Sequence, residues 1–435
     1  MDAGSRPAVA NGRIAPVSTE TASAAEQVAA LPVTDWAEAR ERAYAAGLAA
    51  ALPAVDRPLA DADGLTLAEP LAPRTDLPAF PTSSVDGWAV RGEGPWRIVG
   101  RVLAGNSPPP LAEDGTTAEI ATGAMVPEGV TAIVRVEEST RTADGRITGR
   151  PRPQPEWRRP GEEAYAGEEL LPAGTPVDPA LIGLAASCGH DTLRVRRAPR
   201  AALLVFGDEL LTSGPPAAGR VRDALGPAVP AWLRRYGCEV RPADVTGPVA
   251  DTLPAHVGAL RTALADADLV CTTGGTMHGP VDHLHPALAE LGAEYVVNTV
   301  AVRPGFPMLL ARLTGPEGRT RFVAGLPGNP QSAIVALVSL VAPLLAGLAG
   351  RPQPVLPHAA LAEPVPGRGD YTHLALVRLD RVAGTAHPVR HVGSAMLRGL
   401  AGADGFAVVR PGTTGEPGAR VPVVPLPLLP GERAW

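Results

Sequence analysis

Residues 321–350 read RFVAGLPGNPQSAIVALVSLVAPLLAGLAG, and their order decides the fold class. Arg321 to Ala324 is a short strand, and the Gly325–Pro330 loop, GLPGNP, ends it. Gly325 and Gly328 permit tight backbone, while Asn329 and Ser332 stand at the start of the next helix. Backbone N–H groups freed at a helix start, together with the helix dipole, make such a loop an anion site. A plain Gly/Pro turn is the competing reading of any single loop of this kind. From Ala333 to Gly350 the run is uncharged and about as long as the shortest membrane-spanning helices. It is Ala-rich, holds Pro343 near its middle and follows a Gly/Pro/Asn loop, so it reads as a buried helix.

The same strand–loop–helix grammar recurs upstream. Ala201 to Val205 is an apolar strand ended by FGDEL (206–210), and Asp268 to Cys271 is another ended by TTGG (272–275). Helical patterns lie between them at Val229–Tyr236, Leu253–Leu264 and Leu284–Leu291. Such alternation predicts an α/β domain with a parallel sheet, whose ligands bind at the carboxyl ends of strands. Asp35 to Leu52 reads as a helix opened by an Asp35-x-x-Glu38 capping box, with Trp36, Ala39, Ala43, Tyr44 and Gly47 on its apolar stripe. From about 54 to 196, and again after Pro352, short alternating runs between Pro/Gly turns predict β-rich modules. Residues 1–32 lack periodicity and read as a disordered tail.

Composition narrows the function. Of 435 residues 19% are charged and 45% hydrophobic, which suits a globular chain. The net charge is −6 with no basic block, and aromatics are only 4%, which disfavours a nucleic-acid partner. There is no lysine, so Schiff-base and P-loop lysine chemistry is excluded. Three widely spaced cysteines, Cys188, Cys238 and Cys271, fit neither a disulfide framework nor a zinc site, and predict a reducing cytoplasm.

The loops carry the candidate chemistry. Asp208 and Glu209 at a strand end suit Mg²⁺, a hard cation that takes oxygen ligands, although acids there also serve as helix caps. Asp282 follows the Gly-rich turn, near His278, His283 and His285. That histidine spacing is not H-E-x-x-H and no cysteine pair supports it, which disfavours a histidine metal site. In the β-rich half, PTSSVDGWAV (81–90) and IATGAMVPEG (120–129) read locally as turns ahead of or after strands.

Taken in this order, the loops resemble the molybdopterin molybdenumtransferase family, which includes the C-terminal domain of gephyrin. PTSSVDGWAV is similar to the family's S-x-M-D-G-Y-A, and IATGAMVPEG to its T-G-A-x-x-P-x-G. FGDEL resembles T-G-D-E-L, VRPGFP resembles K-P-G-K-P, and GLPGNPQSA is close to G-L-P-G-N-P-V-S-A. RRPGEEAYAGEELLPAGT (158–175) resembles the linker signature and HVGSAMLRGLAGADG (391–405) the fourth-domain pattern.

The resemblance implies an elongated, four-domain homodimer with a cleft shared between subunits. Its central parallel-sheet α/β domain takes residues 34–53 and 198–351, and a linker domain takes 54–80 and 158–197. A small β-rich domain, inserted N-terminally, takes 81–157, and a C-terminal β-rich domain takes 352–435. The implied reaction uses adenylylated molybdopterin and molybdate, hydrolyses the adenylate, and leaves molybdenum on the dithiolene sulfurs with AMP released. Matching positions imply Asp86, Glu209 and Asp282 as catalytic acids, and Asp208, Glu209 and Asp282 as Mg²⁺ ligands. Thr122, Gly274, Gly275, Arg303, Gly328, Asn329, Ser332, Arg368 and Ser394 are implied contacts to pterin, phosphate or anion. Asp86 and Thr122 are implied to act across the subunit interface.

Several positions depart from the pattern. Phe306 and Arg303 replace the lysines of K-P-G-K-P, Phe206 replaces a threonine, and Met277 replaces a hydroxyl. The D-S/T-N triplet reads Asp223-Ala224-Leu225, and His373 stands where the fourth domain usually has arginine. Two readings follow. In one, a divergent transferase draws its cationic groups from Arg303, His278 and Arg368. In the other, a catalytically impaired paralogue binds a pterin, nucleotide or protein partner without inserting metal.

Overall fold

The computed structural model of the chain describes residues 33–277 and 282–428. The tail expected over residues 1–32, and His278, lie outside them.

Helix α1 (Trp36–Ala49) is capped by Asp35, whose carboxylate accepts from the Ala37 and Glu38 N–H groups at 2.8 and 3.3 Å. The expected reciprocal half of the capping box is not made; Glu38 pairs with Arg42 instead. The N-terminal segments form separate small sheets. A three-stranded sheet joins Ala54–Pro58, Thr192–Arg196 and Thr66–Leu67, and a four-stranded one is built on Gly87–Arg91.

The central sheet contains β1 (Ala201–Phe206), β2 (Val245–Val249), β3 (Leu269–Thr273), β4 (Glu294–Asn298), β6 (Leu309–Thr314) and β7 (Thr320–Leu326). A two-residue strand, β5 (Val302–Arg303), lies between β4 and β6 in the chain but outside this sheet. The spatial order is β2-β1-β3-β7-β6-β4, with the first four strands parallel. The expected parallel sheet is therefore extended by an antiparallel edge. Residues 315–319 join β6 to β7, far too few for a crossover, so β6 runs antiparallel, as does β4 against it. Helices cover both faces. Leu203, Val205, Cys271 and Phe322 pack with α1, α2 (Leu225–Arg235) and the long helix α5 (Pro330–Leu348). Ala202, Leu204 and Val323 pack with α3 (Leu253–Asp266) and α4 (Leu284–Glu290).

Helix α5 spans Pro330–Leu348 and, although apolar enough to cross a membrane, is 94% buried over its apolar window, as a core helix should be. It crosses α1 at very close range: a Cβ on Gly47 would lie 2.2 Å from the Leu344 carbonyl oxygen, so glycine is required there. Within α5, Leu337–Val341 form a π turn. The Val338 carbonyl accepts from the Arg40 guanidinium at 2.7 Å, and Ser339 Oγ accepts from Trp36 Nε1 at 2.9 Å. Arg40 is thus only 6% exposed, although the charge pattern of α1 places it off the apolar stripe. The π turn supplies the buried acceptor that makes this tolerable.

The C-terminal region is a closed barrel of five strands, β8 (His358–Leu361), β9 (Thr372–Asp380), β10 (Thr385–Pro388), β11 (Gly405–Val409) and β12 (Arg420–Pro425). Pairing of β9 with β11 closes it. Strand β5, from the α/β segment, adds to β9 in parallel, with Arg303 opposite His373. Leu374, Leu376, Phe406 and Val408 share one continuous core with α5.

Candidate active site

Three of the parallel strands, β1, β3 and β7, are neighbours, so the loops FGDEL, TTGG and GLPGNP emerge side by side. After β1 the chain turns to α2 on one face of the sheet, and after β3 to α4 on the other. The point between these two strands is therefore the usual ligand crevice of such sheets. The Gly274 N–H donates to the Leu326 carbonyl at 2.9 Å, which ties TTGG to GLPGNP. Gly274 and Gly275 adopt φ of +87° and +67°, so the turn needs glycine at both positions.

One cleft, of about 530 Å³, opens on this crevice and is lined by Phe206, Glu209, Asp223, Thr273, Gly274, Gly328 and Asn329, among others. It is acidic. Asp223 Oδ1 accepts from the Leu225 and Gly226 N–H groups at 2.9 and 2.8 Å, so this carboxylate also caps α2. Asp208 lies on the same loop, and its N–H donates to Asp251 Oδ2 at 3.2 Å. Asp282 is half-buried, two residues before α4. Asp208, Glu209 and Asp282 do not assemble into a three-carboxylate cage: among the described residues no three His, Cys, Asp or Glu side chains are grouped to hold a metal. His283 Nε2 lies 3.1 Å from the Asp251 carbonyl, and His285 Nδ1 lies 2.7 Å from the Tyr295 hydroxyl.

A second cleft, of about 690 Å³, lies on the other side of GLPGNP, between the α/β segment and the barrel. Its walls include Arg303, Phe306, Asn329, Ser332, Arg368, Tyr371, His373 and Ser394. It is cationic, with both arginines exposed. A four-residue turn through Gly369, whose φ is +59°, carries Arg368 and Tyr371 together. The His373 ring is fixed by Nδ1 against the Pro366 carbonyl at 2.7 Å, and burial pushes its pKa down.

The helix start between the clefts corrects one expectation. The Gln331 and Ser332 N–H groups are not free for an anion; both donate to the Ser394 carbonyl, at 2.9 and 3.3 Å. The Gly393 N–H donates in turn to Gln331 Oε1 at 3.3 Å. A barrel loop thus caps α5, satisfying donors that helix geometry leaves open. Ser332 is consequently only 3% exposed, and the remaining loop amides belong to Gly328 and Asn329.

Asp86 and Thr122 meet at one end of the four-stranded sheet, because Gly87 pairs with Ile120 in antiparallel register. Asp86 Oδ1 accepts from the Thr122 N–H at 2.6 Å and from its hydroxyl at 3.0 Å. These bonds, the backbone one foremost, hold the exposed Asp86 carboxyl below the usual range. Neither residue lines either cleft of its own chain.

Comparison with known proteins decides between families. Residues 34–189 match the MoeA N-terminal region (domains I and II), 202–347 a probable molybdopterin binding domain, and 358–426 the MoeA C-terminal region (domain IV). A molybdopterin molybdenumtransferase from Nostoc is 33% identical over 66% of this chain and 68% of its own. Molybdopterin molybdenumtransferase 2 from Mycobacterium tuberculosis is 32% identical over 80% of this chain and 89% of its own. The chain belongs to the molybdopterin molybdenumtransferase family. A molybdopterin biosynthesis protein from Pyrococcus horikosii shares the fold, with a TM-score of 0.75 at 24% identity over 93% of this chain and all of that one.

Against the family pattern, the structure gives some substitutions a local reason. Phe206 stacks on the fully buried His256 ring, with centroids 3.8 Å apart and planes at 14°. Phe306 lies beside Arg303 and Tyr371. Met277 is exposed, and nothing in the structure explains it. Sequence reasoning passed over Asp251, Tyr371 and Gln331 as site residues. Each acts through tertiary neighbours rather than through a recognisable local spacing.

Proposed function

We propose that this chain inserts molybdenum into adenylylated molybdopterin, with hydrolysis of the adenylate and release of AMP. The observation that carries the reading is the pair of adjoining clefts, one acidic and one cationic, that share Asn329 as a wall. A substrate with a pyrophosphate and an anionic cargo needs two such surfaces next to each other. Arg303 and Arg368 are placed to receive molybdate by charge-assisted hydrogen bonds, with Ser394 beside them. Gly274, Gly275, Gly328 and Asn329 present tight backbone to phosphate and pterin.

The donor set suits Mg²⁺ in particular. Glu209 and Asp223 offer hard oxygen ligands in one cleft without forming a protein-only cage. Mg²⁺ is commonly held by one or two carboxylates together with substrate phosphates and water. Bound there, it would neutralise pyrophosphate charge. Glu209 and Asp282 would orient the attacking water, and Asp208 would support the Glu209 loop through its bond to Asp251.

A homodimer fits the position of Asp86 and Thr122: lining neither cleft of their own chain, they would act on a second copy. Three buried free cysteines suit a reducing cytoplasm. The experiment is AMP release from adenylylated molybdopterin, with and without molybdate and Mg²⁺. Release that depends on both supports transfer. Tight pterin binding without release would instead support the impaired paralogue that Phe306, Met277 and Phe206 suggest.

A further inference from the structure

The Arg303 guanidinium lies 4.9 Å from the centroid of the Phe306 ring and 4.5 Å from that of Tyr371. The two rings meet edge to face, 5.6 Å apart at 80°. They come from different parts of the chain. Phe306 follows β5 in the α/β segment, Tyr371 precedes β9 of the barrel, and pairing of Arg303 with His373 brings them together. Gly305 makes the turn possible: its φ is +107°, and a Cβ there would sit 3.0 Å from Met308 Cε and 3.1 Å from Val335 Cγ1.

We propose that Phe306 and Tyr371 are positioning residues, an aromatic seat that holds Arg303 and sets how the cationic cleft grips a tetrahedral oxyanion. The proposal rests on the reading of this cleft as the molybdate site. An exposed arginine loses rotamer entropy when an anion fixes it. A guanidinium already laid against two rings has lost part of that freedom beforehand, and its N–H edges stay available. The planar fork then offers two parallel donors to two oxygens, where an ammonium offers a point charge. Phe306 is in this view more than a missing cation. It turns the remaining cation into an oriented one.

The test measures binding of inorganic molybdate to the full chain by equilibrium dialysis, with adenylylated molybdopterin present and Mg²⁺ omitted so that no turnover intervenes. The variants are Tyr371→Leu, Tyr371→Phe, Arg303→Ala and the Arg303→Ala/Tyr371→Leu double variant. Tyr371→Leu weakens binding roughly tenfold, the scale of a partly desolvated cation–π contact. Tyr371→Phe recovers most of that loss, because the ring and not the hydroxyl is the seat. In the Arg303→Ala background, Tyr371→Leu adds no further loss. Phe306→Leu repeats the cycle from the other side of the cleft, should a Tyr371 variant melt early. Equal losses with and without Arg303, or no loss at all, would overturn the seat while leaving the transferase reading intact. A wild-type chain that binds no molybdate under these conditions would overturn the transferase reading and the seat with it.

Discussion

The two clefts flanking GLPGNP differ in everything except their shared wall. The first is bounded by Glu209, Asp223 and glycine-rich loops that leave the parallel strands. The second is bounded by Arg303 and Arg368 with two aromatic rings, and half of it belongs to the barrel. The acidic cleft is built mainly from loops that leave one sheet's strand ends, so most of its parts lie within recognisable local motifs. The cationic cleft exists only because β5 leaves the α/β segment and pairs with β9. Chemistry that separates metal-bound phosphate from an incoming oxyanion is served by this arrangement: unlike charges each keep their own pocket, and neither neutralises the other across a single site.

The comparison breaks most visibly if both clefts respond alike to mutation. Glu209→Gln and Asp282→Asn should each lower the rate constant for AMP release by roughly 10²-fold or more, the usual scale for removing an acid or base. Both should leave the KM for molybdate within a few fold. Steady-state kinetics with molybdate varied would check this, and normal turnover by Asp282→Asn would remove that residue from the mechanism. On the other side, Arg303→Ala and Arg368→Ala should raise the KM for molybdate by roughly 10- to 100-fold, the loss of charge-assisted hydrogen bonds. AMP release at saturating molybdate should change much less. A fall in rate at saturation instead would mean that the arginines grip the pterin phosphate.

How much of this was legible in the sequence follows the same division. The apolar runs 201–205 and 321–324, each ended by a glycine-bearing loop, announced the strand-end crevice directly, and the structure seats those loops side by side. The anion site expected at the start of α5 was partly wrong for a tertiary reason. Its two open N–H groups are satisfied by Ser394, more than sixty residues away, and no local spacing reveals such a partner. The burial of Arg40 is hidden for the same reason, since its acceptor is a carbonyl exposed by a π turn in a distant helix. Tyr371 carried no signal because its role depends on one strand crossing between domains. Arg303, Arg368 and Ser394 are recognisable one by one in the sequence, but their meeting through strand exchange is not.

The wall between the clefts can be loosened without touching either charge set. Gln331→Ala removes the acceptor for the Gly393 N–H and should cost about 1 kcal/mol, the net worth of a neutral hydrogen bond. Because Asn329 and the Ser394 loop border both clefts, the expected result is a rise of up to about fivefold in KM for molybdate and for the pterin together. A rise in only one of them would show that the barrel loop serves one cleft alone.

The smallest effect concerns His373, where the family pattern has an arginine. Its Nδ1–H donates to the Pro366 carbonyl at 2.7 Å, which fixes the ring in the cleft wall. Burial, aided by the Arg368 charge, pushes its pKa down, against a smaller opposing effect of the Pro366 bond. The histidine is therefore neutral near pH 7, and it adds no cation to the cleft where the pattern would supply one. His373→Gln keeps a neutral side chain, so molybdate binding near pH 7.5 should change by less than about twofold. The difference should emerge on acidification. Because the folded-state pKa lies below that of the unfolded chain, the wild type holds its full stability above the unfolded value and loses it as pH falls through the folded one. Melting temperatures of wild type and His373→Gln, compared from pH 8 down to pH 5, should converge with the wild type losing more. Parallel curves would mean that the imidazole takes up its proton as readily in the cleft as in water, and the cationic cleft would then gain a third charge in mild acid.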